Sequence, residues 1–372
     1  MTAQSNAPMF NQNKLKLGIF SANCSSGMAV TKAPERWVNS WENNLDLVAQ
    51  CDDAGLEFML PIARWIGYGG ETDFHGNVLE TVTWAAGLAA HTKRIQVFAT
   101  VHTAFNHPVV TAKQLATLDQ LSKGRIGLNV VAGWNKPEYD AFGVDLPAEH
   151  TDRYRMAQEW FDYTQKLWTE DKAFDWNGEF YKGKGVYGLP HPVQSRIPVI
   201  NAAASKEGRE FAMRNADFLF TPVFDFDQAQ ATVKDVQDLA RAANREVNVL
   251  TFCTVVCRPT LQEAEDYLAY YADQQADWGA VDNLMTLQGM HAQSFTKEAL
   301  ALFRDRFAAG HGGYPLVGTP DHIADQLAQL SATGVAGTTL AFVDYAKEFP
   351  YFRQEVLPRL EAKGLRLPSN PH

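Results

Sequence analysis

At 372 residues, 46% apolar and 20% charged, the chain has the composition of a folded globular protein rather than a disordered or fibrous one, and its length allows one large domain. The net charge of −10 comes from 43 acidic and 33 basic residues mixed along the chain, without a basic run to follow a phosphate backbone. No stretch reaches the roughly 18 uninterrupted apolar residues of a membrane span, so neither nucleic acid nor a membrane is expected as a partner.

The opening segment, MTAQSNAPMFNQNKLK, has neither a charged n-region nor an apolar h-region, which predicts a disordered tail over 1–14 and a cytoplasmic protein. A first strand is read at 15–21, followed by the loop NCSSG and a helix over 41–54, with Leu45, Val48 and Ala49 on one face and Gly55 as its stop. A short second strand at 57–60 runs into the glycine-rich loop RWIGYGG and a helix over 79–90. The rhythm repeats with strand three at 94–101, a helix over 108–121 with proline in its first turn, and strand four at 125–131.

Residues 151–168 read as a long amphipathic helix, 199–202 as strand five leading into a helix opened by Ser205, and 217–221 as strand six. A helix over 225–243 precedes strand seven at 247–256. Thr260 with Glu263 forms a capping-box signature, Thr319-Pro320 opens another helix, and 337–343 is strand eight. Eight strands interleaved with helices predict an α/β fold, a (β/α)8 TIM barrel over 15–365, whose catalytic loops follow the carboxyl ends of the strands. Two stretches break the alternation and read as insertions, at about 170–196 and 277–318. The second, holding Met285, Met290, His291, Phe295, His311 and Tyr314 between glycines, is the better lid candidate.

Several chemistries lack their motifs. There is no GxGxxG between strand and helix, no Walker loop, no GxSxG elbow and no HExxH, and His102, His107 and His150 lack metal spacing, so no catalytic metal is expected. Cys24, Cys51, Cys253 and Cys257 are too sparse for a disulfide framework and read as free thiols; Cys253 and Cys257 would share one strand face as small core residues. What remains is Asn201-Ala-Ala-Ala-Ser205-Lys206, which takes the chain from a strand into a helix N-terminus. Free N–H groups and the helix dipole favour an anion there, although Ser205 is equally read as a plain N-cap.

The motifs NCSSGMAV, IGYGGETDF, the run from KRIQVFATVHTAFNH to GRIGLNVVAGWNKPEYDAFG, HTDRYR, NGEFY and INAAAS together resemble the bacterial-luciferase-like flavin monooxygenases. Within them the chain is most similar to the branch holding pyrimidine and dimethylsulfone monooxygenases. The likeness is strong over 15–225, and GW-x-K-x-E after strand four is its most specific part. It implies a monooxygenase of a two-component system, taking reduced FMN from a separate NAD(P)H:flavin reductase and using O2 to oxygenate or cleave a small heterocyclic, aromatic or organosulfur substrate. A homodimer or homotetramer is the family's habit. The alternatives are a deazaflavin-dependent oxidoreductase and a non-catalytic flavin-binding protein.

By motif, the resemblance places Ala63 and Arg64 at the isoalloxazine, Asn129 at the ring's polar edge and Thr103 beside flavin N5 in the oxygen-binding region. Glu138 takes a further cofactor position, and Arg153, Tyr154 and Ser205 surround the ribityl chain and phosphate. Each has a plainer reading: Asn129 as a core asparagine, Glu138 and Arg153 as a structural salt bridge, Tyr154 as a helix-face aromatic. His102 faces the substrate or lies behind the barrel, while alternation would put Thr103 on the face of Val101. Trp65, Phe105 and Trp134, with His311 and Tyr314, are read as pocket lining.

Overall fold

The structure is a computed structural model that describes residues 7–147, 149–203, 205–290 and 297–368. Eight parallel strands close into a barrel: β1 (Lys16–Phe20), β2 (Phe58–Leu60), β3 (Gln96–His102), β4 (Ile126–Val131), β5 (Val199–Ala202), β6 (Phe218–Phe220), β7 (Asn248–Cys257) and β8 (Gly337–Ala341). Each pairs with its successor, and β8 returns to β1 with Lys16 against Gly337. Parallel strands need crossover helices, and the helices cover the outer face, so most strands are buried on both sides.

The barrel interior is packed. Phe20 of β1 meets Phe220 of β6 and Phe252 of β7 at 5.2 and 5.7 Å between ring centroids. Because β1 and β6 are not paired, these rings meet across the lumen. One layer below, Phe58 and Phe98 fill the space left by Gly18 and Gly127, where an added Cβ would stand 2.7 and 2.3 Å from the phenylalanine rings. Alternation from Phe98 puts Thr100 and His102 on the same lumen face, and the register Thr100 against Asn129 brings Asn129 with them. Cys253 and Cys257 fall on the opposite, helix-facing side of β7 from Phe252; both are buried, and all four cysteines are free thiols.

Both insertions have structure of their own. In the first, Phe174–Asn177 and Lys182–Val186 pair as an antiparallel hairpin. Glu159, on the helix His150–Thr169, pins it by accepting from Trp176 Nε1 (3.0 Å), Phe180 N (2.8 Å) and Tyr181 N (2.9 Å). The second contains the helices Trp278–Leu287 and Lys297–Gly310, and ends in Tyr314–Gly318, which pairs with β7 from Cys253 to Cys257. That last piece belongs to the sheet: β7 is long enough to pair with β8 in its middle and leave its end for another strand. His291 and Phe295 lie outside the described residues.

The frayed tail expected over 1–14 is corrected for residues 7–14. Met9 is buried in the main core, and Asn11 and Asn13 donate to Glu57 Oε1 at 2.8 and 2.5 Å. Glu57, fully buried at the closed end of the barrel, also accepts from Leu17 N (2.8 Å) and from Arg366 Nη1 (2.6 Å). Arg366 in turn donates to the carbonyls of Leu15 and Gly55, so the ends of the described chain are clamped through one carboxylate. Removing one partner of such a buried pair leaves an uncompensated charge and costs about 3–5 kcal/mol. Glu57→Gln should therefore lower the unfolding free energy measured by urea titration by that much, with the m-value unchanged; a loss below about 1 kcal/mol would show that the clamp is dispensable.

Candidate active site

The carboxyl ends of β2, β3, β4 and β5 carry the polar residues. The chain leaving β2 places buried Ala63 and then Arg64, whose Nη1 bonds Glu138 Oε1 at 3.0 Å; both side chains are almost wholly buried, at 6% and 2% exposed. Glu138 lies on the helix Lys136–Phe142, which follows the Gly-Trp turn after β4 and carries Pro137 in its first turn. The same Glu138 oxygen accepts from Trp65 N at 2.8 Å. Arg64 also sits against the faces of Tyr68 and Trp134, 4.8 and 5.3 Å from the ring centroids, so the cation is held by a carboxylate on one side and by aromatic rings on others. The salt bridge between Glu138 and Arg153 read from the sequence does not form: Arg64 takes the carboxylate, and Arg153 Nη1 donates instead to Gly133 O at 3.2 Å.

Inside the barrel mouth, Asn129 Nδ2 donates to Thr100 Oγ1 (3.1 Å), which itself donates to Pro61 O (2.6 Å). This orders the asparagine and leaves its Oδ1 buried with no partner among the described residues. His102 faces the lumen side rather than lying behind the barrel; its Nδ1 is likewise buried and unpartnered. Burial first, and then the Arg64 charge, push its pKa down to about 3, so the ring is neutral at pH 7. Thr103 lies one residue beyond β3, in the turn, so alternation does not assign it the face of Val101 as the sequence suggested. Its hydroxyl is buried and unpartnered among the described residues, while its carbonyl accepts from Tyr181 Oη at 3.2 Å, bringing the NGEFY insertion to the site.

The third group is at the β5 exit. Ser205 caps the helix Lys206–Asn215, its Oγ accepting from Gly208 N at 3.1 Å. An added Cβ on Gly208 would stand 2.5 Å from Tyr154 Oη, so glycine lets the phenol reach the first turn beside Ser205. Burial raises the Tyr154 pKa against the opposing influence of Arg153 and a hydrogen bond with Ser205, which places all three side chains in one neighbourhood. Arg153 is buried with its Nε unpartnered among the described residues, and Asn201 Oδ1 on β5 is similarly bare.

The luciferase-like monooxygenase family matches residues 15–337. The chain belongs to that family. Among its luciferase-like relatives, the FMNH(2)-dependent dimethylsulfone monooxygenase of Pseudomonas fluorescens is 32% identical over 95% of this chain and 97% of its own length. The pyrimidine monooxygenase RutA of Allorhizobium ampelinum is 30% identical over 95% and 98%. A crystal structure of riboflavin lyase (RcaE), with modified FMN and riboflavin, superposes with a TM-score of 0.85 over 95% of this chain and 93% of that one; at 23% identity it supports the fold alone. No helix among the described residues is long and apolar enough to cross a membrane.

Sequence reasoning gave no role of their own to three residues that the luciferase-like fold brings to this mouth, Tyr68, His75 and Asn201, although Asn201 opens the string read as a possible anion site. The quoted motif IGYGGETDF contains the first and stops one residue short of the second. Of the expected lining, Trp65 is 46% exposed and packs on Phe142, Phe105 stacks on Phe142 at 4.3 Å, and Tyr314 lies on the sheet against Phe226.

Buried neutral histidines also govern acid stability. His102 and His75, 4% and 1% exposed, have pKa values lowered by burial, His75 also by its neighbour His311. Between the unfolded value of about 6.5 and the lowered native value, the unfolded state binds more protons, so stability is lost as pH falls, at up to about 1.4 kcal/mol per pH unit for each ring. Urea midpoints measured from pH 7.5 to 4.5 should fall below about pH 6.5, and His102→Gln should flatten that fall by about one proton. An unchanged slope in the variant would mean that His102 is not a neutral buried group.

Proposed function

We propose that this protein is an FMN-dependent monooxygenase of a two-component system, which takes reduced FMN from a separate flavin reductase and uses O2 to oxygenate or cleave a small organic substrate. The observation that supports it most is the set of buried, unpartnered polar atoms around the carboxyl end of the barrel: Arg64 Nε, His102 Nδ1, Thr103 Oγ1, Asn129 Oδ1 and Arg153 Nε. Native proteins rarely leave such atoms bare, so a concentration of them is the imprint of a polar ligand. The asparagine oxygen and threonine hydroxyl among them suit the ring edge of FMN, and Arg153 together with Ser205, Tyr154 and the helix N-terminus beside it suits the phosphate.

In this reading Arg153, Tyr154 and Ser205 hold the phosphate and ribityl chain, Ala63, Arg64 and Asn129 hold the ring, and Glu138 acts through Arg64 by fixing it. Bound reduced FMN supplies two electrons to O2, one oxygen atom entering the product and the other leaving as water. The chain's part is orientation and the exclusion of water, which the packed Phe20, Phe220 and Phe252 layer provides from below. The cytoplasm and a homodimer or homotetramer complete the proposal; Val110 and Leu121, apolar and exposed on the outer helix Pro108–Ser122, support pairing through that helix.

Arg153→Ala and Ser205→Ala should both weaken FMN binding, the arginine more, because a charge-assisted contact contributes about 1.5–3 kcal/mol and a neutral one about 0.5–1.5. Fluorescence quenching on protein with unchanged circular dichroism measures this, and wild-type affinity in Arg153→Ala would remove the arginine from the phosphate site. Thr103→Val keeps the shape and breaks no hydrogen bond of the hydroxyl oxygen within the described protein. Its stability should match wild type while coupled product formation falls at least ~10-fold, a loss of ~1.4 kcal/mol of transition-state stabilisation. Wild-type product yield in single turnover with reduced FMN would show Thr103 to be structural.

A further inference from the structure

The motif NGEFY, residues 177–181, closes the hairpin of the first insertion, and none of its residues is among those assigned to the flavin. Its last member nevertheless reaches the mouth. Tyr181 is pinned by its backbone on both sides: its N–H donates to Glu159 Oε1 at 2.9 Å, and its carbonyl accepts from Gly178 N at 3.0 Å. The side chain then spans to the turn after β3, where Oη donates to Thr103 O at 3.2 Å and the ring meets His107 edge-on, 5.6 Å between centroids with planes 88° apart. Burial raises the phenol pKa to about 12, so Tyr181 keeps its proton at neutral pH, and a carbonyl partner leaves it only the donor's role.

The turn over residues 103–107 is held through its backbone. Thr103 N donates to Val131 O at 3.0 Å, which ties the start of the turn to β4. His102 O accepts from Phe105 N at 3.2 Å and from Asn106 Nδ2 at 2.9 Å, closing the turn on itself. Asn106 O accepts from Trp160 Nε1 at 2.7 Å, and Thr103 O accepts from Tyr181. Trp160 and Glu159 are neighbours on the helix His150–Thr169, so one helix grips the turn twice, directly through the indole and at one remove through the hairpin. The two planar peptide groups flanking the Thr103 Cα are thus each held by one hydrogen bond, and together they fix where its Cβ and hydroxyl point. The hydroxyl is buried with no partner among the described residues, so the backbone does the aiming.

We infer that Tyr181, held by Glu159, is a positioning residue of the oxygen reaction: its hydrogen bond to the Thr103 carbonyl aims the Thr103 hydroxyl, and Tyr181 acts only through it. The inference rests on the monooxygenase reading, which puts Thr103 on the oxygen side of the flavin. It gives the hairpin a task that its place outside the barrel does not suggest. Glu159 gathers three donors of the hairpin, Trp176 Nε1, Phe180 N and Tyr181 N, and so sets the reach of the phenol.

Tyr181→Phe removes the donor and keeps the ring on His107, while Glu159→Gln replaces one of the two oxygens that the hairpin donors share. Hydrogen–deuterium exchange on FMN-free protein reads the hold on the turn: amides of residues 103–106 should exchange at least ~5-fold faster in both variants, with β1 and β8 at wild-type rates. Stopped-flow mixing of enzyme carrying reduced FMN with O2, without substrate, reads the consequence; two electrons and two protons pass from reduced FMN to O2, leaving FMN and hydrogen peroxide. The second-order rate constant for O2 should fall at least ~5-fold in Tyr181→Phe, with the FMN dissociation constant unchanged. In a Thr103→Val background the same change should alter that constant by less than ~2-fold, because the hydroxyl it aims is gone. Wild-type exchange in both variants, a wild-type oxygen rate in Tyr181→Phe, or an undiminished effect of Tyr181→Phe in Thr103→Val would overturn the positioning role. With FMN bound, any of these three sinks that role alone; wild-type enzyme that binds no FMN would sink the monooxygenase reading and the oxygen role together.

Discussion

The mouth of the barrel depends on one buried ion pair, Arg64 with Glu138. Taking two charges out of water costs several kcal/mol each, and only close geometry with further partners offsets it. Here the 3.0 Å contact is supplemented by Trp65 N on the carboxylate and by the faces of Tyr68 and Trp134 on the guanidinium. The pair ties the exit of β2 to the exit of β4, two strands that β3 separates, and so sets the width of the mouth. The fixed positive charge also disfavours protonation of His75, His102 and His311, adding to burial. One contact thereby joins the scaffold, the barrel mouth and the neutral state of the polar rings beyond it.

Around that pair, rigid and grafted parts divide the work. The barrel supplies packed layers of aromatic rings and strand ends of fixed register, while the two insertions reach the mouth from outside, one through Tyr181 to Thr103 and the other through Asp277 and Asn283 to the loop carrying Tyr68. A cofactor that brings its own reactive chemistry asks the protein for orientation and dryness more than for acids and bases. The mouth accordingly holds neutral imidazoles, a hydroxyl and amides, with the buried Glu138 carboxylate committed to Arg64.

The eight strands and most of their connecting helices were legible because each rests on local causes: apolar runs of strand length, proline in a first turn, and the Thr260 capping box, which is present as read. The helix Lys136–Phe142 was less visible, being short and lying within a motif read for its chemistry. The hairpin in the first insertion is held by Glu159 from another element, and Tyr314–Gly318 joins the sheet only because β7 overruns its neighbours; neither cause is written in the local pattern.

At the site the same division holds. Strand periodicity and helix signals pointed to the barrel, and the resemblance of its motifs to a known family pointed to that family and to Arg64, Asn129, Glu138, Arg153 and Ser205. Which carboxylate meets which guanidinium, which way Thr103 turns, and that Glu57 closes the barrel against Arg366, 309 residues away, were decided by tertiary structure alone. Local propensity acts over a few residues and leaves a periodic trace in the chain. Pairing of charges and the stranding of buried donors and acceptors depend on distances that exist only once strands far apart in sequence lie side by side.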